Sequence, residues 1–391
     1  MMKDLSIGVI FLLLLVSCFR DRRDTTPWGT AVDAGEETVS RDGMFSLSDI
    51  QNGGEMIMLT LSGPETYYDY HGRGMGQEYL LCEKFAQLIG VSLRVELCKD
   101  TAEMLRRLDD GEGDVIAFPM PKSAGDDVIY CGSRSDSLGT QWAVRKDNQE
   151  LADTLDGWFR PELIAQVRQE EDFLLSARSI QRRVFSPMLD RKGGVISHYD
   201  HLFRRYASSA RMDWRLMAAQ CYQESCFDPN ARSWAGARGL MQIMPQTAAH
   251  LGLPLSRIND PEANIAASAK YMAELSGHFR DVPDATQRVC FVLAAYNGGF
   301  FHIRDAMALA RKYGRNPNNW AEVEPFVLKL RDAAYYRDPV VKYGYMRGNE
   351  TVDYVARIRS RWAQYRGMAA PSGTSSGSIP ARAKKKHRFK L

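Results

Sequence analysis

From Val195 to about Met368 the chain reads as an unbroken run of amphipathic helices. That run constrains the fold more than any other feature. A stripe of apolar residues on a helix needs a partner face, so successive stripes must pack on one another as a helical domain. Upstream the pattern is different. Glu55 to Leu61 is a candidate strand, and Leu81, Phe85, Leu88 and Ile89 fall at helical spacing before Gly90. Val91, Leu93, Val95 and Leu97 then alternate with Ser92, Arg94, Glu96 and Cys98, the mark of a half-buried strand. Asp100 and Glu103 suit the N-cap and N3 positions of a helix carrying Met104, Leu105 and Leu108; Gly111 ends it, and Asp114 to Phe118 is another strand. This order predicts a small α/β unit with a partly parallel sheet, ahead of the helical domain: an α+β multidomain chain.

The flanks read differently again. Residues 1–18 have a short charged start, then an almost wholly apolar run from Leu5 to Ser17, ending at Cys18. That run is too short for a bilayer span, which needs about 20 residues, and predicts a signal peptide. Leu15-Val16-Ser17-Cys18 matches a lipoprotein signal box, which predicts lipidation of Cys18 and attachment to a membrane. An ordinary secretory signal with an incidental cysteine stays open. Residues 19–52 predict a flexible tether, 53–150 the α/β domain, 151–194 a polar helical connector, 195–368 the helical domain, and 369–391 a basic, disordered tail. With 51 basic and 48 acidic residues, no excess points to nucleic acid. Cys82, Cys98, Cys131, Cys221, Cys226 and Cys290 show no paired spacing, leaving disulfides or buried thiols open. His198, His201, His250, His278 and His302 are dispersed without metal-ligand spacing, so neither metal nor cofactor is expected.

The chemistry concentrates around Glu224. Asp213 can cap a helix in which Trp214, Met217, Ala218 and Cys221 form an apolar stripe, and continuing the spacing puts Glu224 at its edge. A carboxyl half turned toward apolar neighbours is desolvated, its pKa rises, and it can donate a proton near neutral pH. Spacing alone favours a salt-bridged surface glutamate. Three further segments change that reading. Gly236 to Pro245 places two glycines before a Gln242 flanked by methionines; Val289, Val292, Leu293 and Tyr296 share a helix face that stops at Asn297-Gly298-Gly299; and Thr351, Val355, Ile358, Trp362 and Tyr365 form a closing stripe with Glu350 and Tyr354 in its first turns.

Together these segments resemble the soluble lytic transglycosylase domain, an all-helical relative of goose-type lysozyme. The resemblance runs from about Ser197 to Tyr365 and rests on Gln223-Glu224-Ser225, Gly239-Leu240-Met241-Gln242, Ala295-Tyr296-Asn297-Gly298-Gly299, Glu350-Thr351 and Tyr354-Val355, in family order. The segment from Asp338 to Gly348 resembles the membrane-bound lytic murein transglycosylase F branch. Gly76 to Leu81, Leu108 to Asp114 and Trp142 to Asp147 resemble one lobe of a periplasmic solute-binding domain, and only about 25 residues stand where such domains insert their second lobe. The ligand cleft is then expected to be absent, leaving a docking or regulatory role that could involve other envelope proteins.

The resemblance implies a lytic transglycosylase that cleaves the β-1,4 bond between N-acetylmuramic acid and N-acetylglucosamine in peptidoglycan strands. Glu224 is its single acid and base, and the product is a 1,6-anhydromuramyl end. It further implies substrate contacts from Ser225, Ser233, Gln242, Met244, Tyr296, Asn297, Glu350 and Tyr354, with Tyr354 near Glu224. The expected location is the periplasmic side of the envelope. Phe19 after Cys18 offers no Asp-type retention signal and so favours the outer membrane. Two other functions compete. A lysozyme-type hydrolase would need a second carboxylate, for which Asp228, Asp260 and Glu262 are candidates. A non-catalytic wall-binding scaffold would need no acid at Glu224.

Overall fold

The computed structural model describes residues 46–176 and 179–367. The predicted signal peptide, the lipidation site at Cys18, most of the tether and the basic tail lie outside the described residues.

The first domain begins with α1 (Leu47–Gly53), whose Ser46 and Asp49 form a reciprocal capping box, and continues into β1 (Glu55–Thr60). A two-stranded hairpin follows, β2 (Tyr68–Tyr70) and β3 (Arg73–Met75). Then come α2 (Gln77–Ile89), β4 (Ser92–Leu97), α3 (Thr101–Asp109), β5 (Val115–Pro121), β6 (Val128–Ser135) and β7 (Thr140–Arg145). The main sheet runs β4-β1-β5-β7-β6. β4, β1 and β5 are parallel, and β7 pairs antiparallel with both β5 and β6. The helices that return the chain between parallel strands bury Leu81, Phe85, Met104 and Leu108 against the sheet. Asp100 caps α3 as expected, accepting from Glu103 N. A buried carboxylate, Glu78, accepts the indole N–H of Trp142 at 2.6 Å across this core.

The connector carries α4 (Gln149–Trp158) and α5 (Pro161–Leu174). Leu151, Leu155 and Val167 from these helices pack into the core of the first domain. Beyond Ser179 the connector is irregular. Its backbone bridges Gln181 to Arg232, and its Arg182 guanidinium reaches the carbonyl of Glu224 at 2.9 Å. Pro187 and the Gly193-Gly194 pair stand in this stretch, and residues of this kind interrupt helices.

The helical domain is built from α6 (Asp200–Ala210), α7 (Trp214–Ser225), α8 (Pro245–Leu251), a short 3-10 turn (Leu255–Arg257), α9 (Pro261–His278), α10 (Ala285–Gly298), α11 (Phe300–Lys312), α12 (Trp320–Lys329), α13 (Ala333–Tyr336) and α14 (Gly348–Tyr365). Met217, Ala218 and Cys221 of α7, Val292 and Leu293 of α10, and Val355 and Ile358 of α14 share one core. Tyr68 and Met75 of the β2–β3 hairpin are buried in that same core. The hairpin therefore belongs by chain order to the first domain and by packing to the second. All six described cysteines are buried free thiols. No helix among the described residues is long and apolar enough to cross a membrane.

Candidate active site

Helix α7 delivers Glu224. Asp213 caps it by accepting from Arg215 N; of the predicted stripe Met217, Ala218 and Cys221 are buried, and Trp214 is half-buried against the same core. Two consecutive residues past its end, Cys226 and Phe227, take left-handed backbone conformations with φ of 53° and 65°. Such angles are costly for residues with a Cβ. Here they are held by packing, since Phe227 is buried against Tyr222 and Phe203. The reversal leaves Glu224 in the last turn of the helix. The residue as a whole is half-buried, and protein crowds its carboxyl. Desolvation raises its pKa to about 7, against opposing effects from the Tyr354 hydrogen bond and the charges of His71 and Arg182; the charge of Glu350 raises it further. The Tyr354 hydroxyl donates to Glu224 Oε1 at 2.5 Å, and Gln220 Nε2 donates to the Tyr354 oxygen at 3.1 Å.

The loop before α8 forms a second wall. Gly236 and Gly239 take φ of 94° and 80°. A Cβ on Gly239 would stand 2.5 Å from Asn264 Nδ2 and 2.7 Å from the Ile258 carbonyl. Asn264 is buried and holds the loop on three sides: it accepts from Met241 N and donates to the carbonyls of Arg238 and Ile258. Gln242 is itself left-handed, with φ of 47°, and its Nε2 donates to the carbonyls of Ala231 and Gly239. Those bonds fix the amide and leave its oxygen available as an acceptor. The Ser233 hydroxyl accepts from Ala237 N within the same loop, and Met244 stands at the start of α8.

Helices α10 and α14 close the site. The Tyr296 hydroxyl donates to the Met241 carbonyl at 2.8 Å, tying α10 to the Gln242 loop, and its pKa is raised by burial and by the charge of Glu224. Asn297 Oδ1 accepts from the Thr351 hydroxyl at 2.8 Å. Glu350, in the first turn of α14, meets residues absent from the sequence-based site. Its carboxylate accepts from the Tyr70 hydroxyl at 2.6 Å and lies 3.5 Å from His71 Nε2. Burial works against both charges. The mutual attraction prevails, holding His71 above and Glu350 below their ordinary values. The hairpin also covers the loop wall: Tyr70 stacks parallel to Trp234 at 6.1 Å, Arg73 lies over that indole, and Gly72 faces the Met244 methyl.

Glu224, Tyr354, Gln242, Tyr296, Asn297 and Glu350 thus come from elements tied to one another by these bonds. Ser225 is the exception and corrects the sequence expectation. Its side chain is fully buried and its hydroxyl donates to the Cys221 carbonyl. Adjacent helical residues point about 100° apart, so when Glu224 faces Tyr354 Ser225 turns into the core. Tyr70 and His71 were missed by sequence reasoning, because no local pattern joins a short hairpin to a helix start 280 residues later. The candidates for a second carboxylate are engaged elsewhere. Asp228 accepts from the backbone of Arg183 and Asn230, Asp260 caps α9, and Glu262 holds Arg205 and Tyr206.

Residues 201–319 match the family profile described as the transglycosylase SLT domain. The chain is 28% identical over 419 residues to a membrane-bound lytic murein transglycosylase F of Desulfosudis oleivorans, covering 81% of this chain and 91% of that one. It is 30% identical over 298 residues to a protein of the same name from Pseudomonas putida, covering 73% and 60% respectively. Among solved structures, the 70 kDa soluble lytic transglycosylase of Escherichia coli matches at a TM-score of 0.32 and 26% identity, over 44% of this chain and 25% of that one. The arginine-bound form of domain 1 from TmArgBP, as a point mutant, matches at a TM-score of 0.26 and 18% identity, over 32% and 98%.

Proposed function

We propose that this chain, a lytic murein transglycosylase F-like protein with a solute-binding-like domain ahead of its SLT domain, cleaves peptidoglycan at the β-1,4 bond between N-acetylmuramic acid and N-acetylglucosamine and leaves a 1,6-anhydromuramyl end. The observation that carries the bond-level reading is the state of Glu224. One desolvated carboxyl, with a pKa raised to about 7 and a hydroxyl donor on one oxygen, is suited to act as an acid and then as a base near neutral pH.

Glu224 gives its proton to the glycosidic oxygen as the bond from C1 breaks. The muramyl acetamido oxygen shares the positive charge at C1, a substrate-assisted departure from the usual carboxylate pair. The Glu224 carboxylate then takes the proton of the muramyl 6-hydroxyl, whose oxygen bonds to C1. No water enters, and Glu224 ends protonated as it began. Tyr354 supports the carboxylate stage by donating to Oε1. The free oxygen of Gln242 and the ends of Tyr296 and Asn297 are assigned to the acetamido group and the reacting ring, Ser233 and Met244 to the neighbouring wall, and Glu350 to the rim. The engagement of Asp228, Asp260 and Glu262 in local bonds supports a route without a second carboxylate.

The protein is a cell-envelope enzyme, and we assign its attachment to lipid on Cys18, in the outer membrane. Fatty-acid labelling of wild type beside Cys18→Ala tests the anchor. Mass spectrometry of digested peptidoglycan, on wild type beside Glu224→Gln, tests the chemistry. Wild type should release anhydro ends, and Glu224→Gln should release them about 10²–10⁴-fold more slowly. Products heavier by one water would identify a hydrolase instead, and undiminished digestion by Glu224→Gln would remove Glu224 from the mechanism.

A further inference from the structure

The irregular connector between α5 and α6 carries a surface that the reaction does not use. Val184, Phe185, Leu189 and Val195 are each between 40% and 72% exposed. Gathered in residues 184–195, they are not the usual scatter of single apolar side chains over a surface. Their backbone is held in place. Arg183 N donates to the buried Asp228 carboxylate at 2.6 Å, and Phe185 N to the Cys226 carbonyl at 3.4 Å. The Tyr365 hydroxyl of α14 donates to the Pro187 carbonyl at 2.6 Å. Asp190 and Val195 exchange both backbone bonds, at 2.9 Å each, and close a hairpin whose tip is Arg191-Lys192-Gly193-Gly194. The frame therefore keeps apolar side chains in water instead of letting the chain turn them under.

The rim of this surface is cationic. Arg183, Arg191 and Lys192 are exposed against one acidic side chain, Asp190. One Asp190 oxygen is already taken by the Lys192 backbone N–H at 2.9 Å. The cations call for an anionic partner, and the apolar side chains for one with an apolar interior. An anionic lipid surface meets both demands: apolar side chains enter the boundary between headgroups and acyl chains, while Lys and Arg stay among the phosphates. A soluble anion would engage the cations and leave the apolar side chains wet.

We propose that residues 183–195 are a membrane-docking segment, which seats the helical domain on an anionic lipid surface of the envelope. The lipid assigned to Cys18 tethers the chain; this contact decides which face of the helical domain lies against the membrane. Val184, Leu189, Arg191 and Lys192 make none of the bonds of the active site, so they can be changed without touching the acid.

The chain from Phe19 onward, without signal peptide or lipid, is to be sedimented with vesicles of phosphatidylcholine, with and without phosphatidylglycerol. Binding should be about tenfold or more stronger to the anionic vesicles. Val184→Ser with Leu189→Ser, and separately Arg191→Gln with Lys192→Gln, should each weaken that binding about tenfold. The basic residues from Arg382 to Lys390 attract the same vesicles, so a local probe is added. A polarity-sensitive fluorophore on Val184→Cys reports from the segment itself, because the six described native cysteines are buried. Its emission should shift to the blue with anionic vesicles and stay unchanged with soluble polyphosphate. No vesicle binding, binding without a blue shift, binding indifferent to both double variants, or an equal shift with polyphosphate would overturn the docking segment. A blue shift without lipid that grows with protein concentration would overturn it in favour of a contact between copies of the chain.

Discussion

The Tyr354 hydroxyl and Glu224 Oε1 lie 2.5 Å apart and 130 residues apart in sequence. The bond joins the closing helix α14 to the acid-bearing helix α7. It also sets the acid. A hydrogen bond to a carboxylate favours the ionised form, so Tyr354 restrains a pKa that burial alone would carry higher.

Tyr354→Phe should therefore shift the pKa of Glu224 upward. The protonated form is needed to donate, so kcat/KM of wild type should fall above about pH 7. In Tyr354→Phe that alkaline limb should move to higher pH while the maximal rate drops, because the carboxylate stage loses its donor. The substitution also strands buried Gln220, whose Nε2 donates to Tyr354, at a cost of roughly 1–3 kcal/mol. A pH–rate profile and a urea titration of the same variant check both expectations. A limb that stays in place would mean that the bond does not tune Glu224.

Glu224→Gln should lower the rate by about 10²–10⁴-fold, the usual contribution of an acid–base group. It should also raise stability at neutral pH. The folded pKa lies above the unfolded value, from 4.5 to about 7. The folded state thus holds its proton more tightly, and wild-type stability falls as pH rises from about 4.5 to 7. The full difference is on the order of 3 kcal/mol. Urea titrations should accordingly show the variant gaining on wild type between pH 4.5 and 8 and little further above that. A gap that is constant across this range would contradict the raised pKa.

The extent to which the site was legible in the sequence follows from which signals are local. Asp213, the stripe Met217–Ala218–Cys221 and the glycines flanking the Gln242 loop each act on neighbours in the chain, and each stands where its spacing placed it. The order β1, α2, β4, α3, β5 was legible for the same reason, whereas α1, the β2–β3 hairpin and the antiparallel β6 and β7 were not read. What escaped is long-range or depends on phase. Ser225 shares a motif with Glu224 yet is turned by one helical step into the core. The left-handed backbone of Gln242 is held by Asn264 and by bonds to Ala231 and Gly239, which no propensity encodes. His71 had no periodic signal at all, since its role comes only from the packing of Tyr68 and Met75 into the other domain's core.

His71→Ala should act on Glu224 from that distance. His71 carries a raised pKa because Glu350 holds its charged form, and that charge lowers the pKa of Glu224. Its removal leaves the Glu350 charge uncompensated near Glu224, so both changes push the same way. The alkaline limb of kcat/KM should move upward. The ion pair itself stabilises the fold below the unfolded His pKa, and that contribution is lost as pH rises through the higher folded value. Wild type should therefore lose its stability advantage over His71→Ala above neutrality. Equal pH profiles for the two proteins would show the hairpin to be electrically silent at the acid.

Gly239→Ala tests the loop wall without touching a titratable group. The new methyl would meet Asn264 Nδ2 at 2.5 Å and the Ile258 carbonyl at 2.7 Å, at a φ of 80° that disfavours any Cβ. Asn264 cannot yield cheaply, because its amide is fully used by Met241, Arg238 and Ile258. Strain and overpacking together should cost about 2–4 kcal/mol. The displaced loop carries Gln242, so KM should rise several-fold while the pH limb set by Glu224 stays where it is. This separation distinguishes the loop from the Tyr354 and His71 variants, which move the limb. A variant of native stability, or one whose limb shifts, would mean that the Asn264 clamp does not position Gln242 in the way the backbone geometry requires.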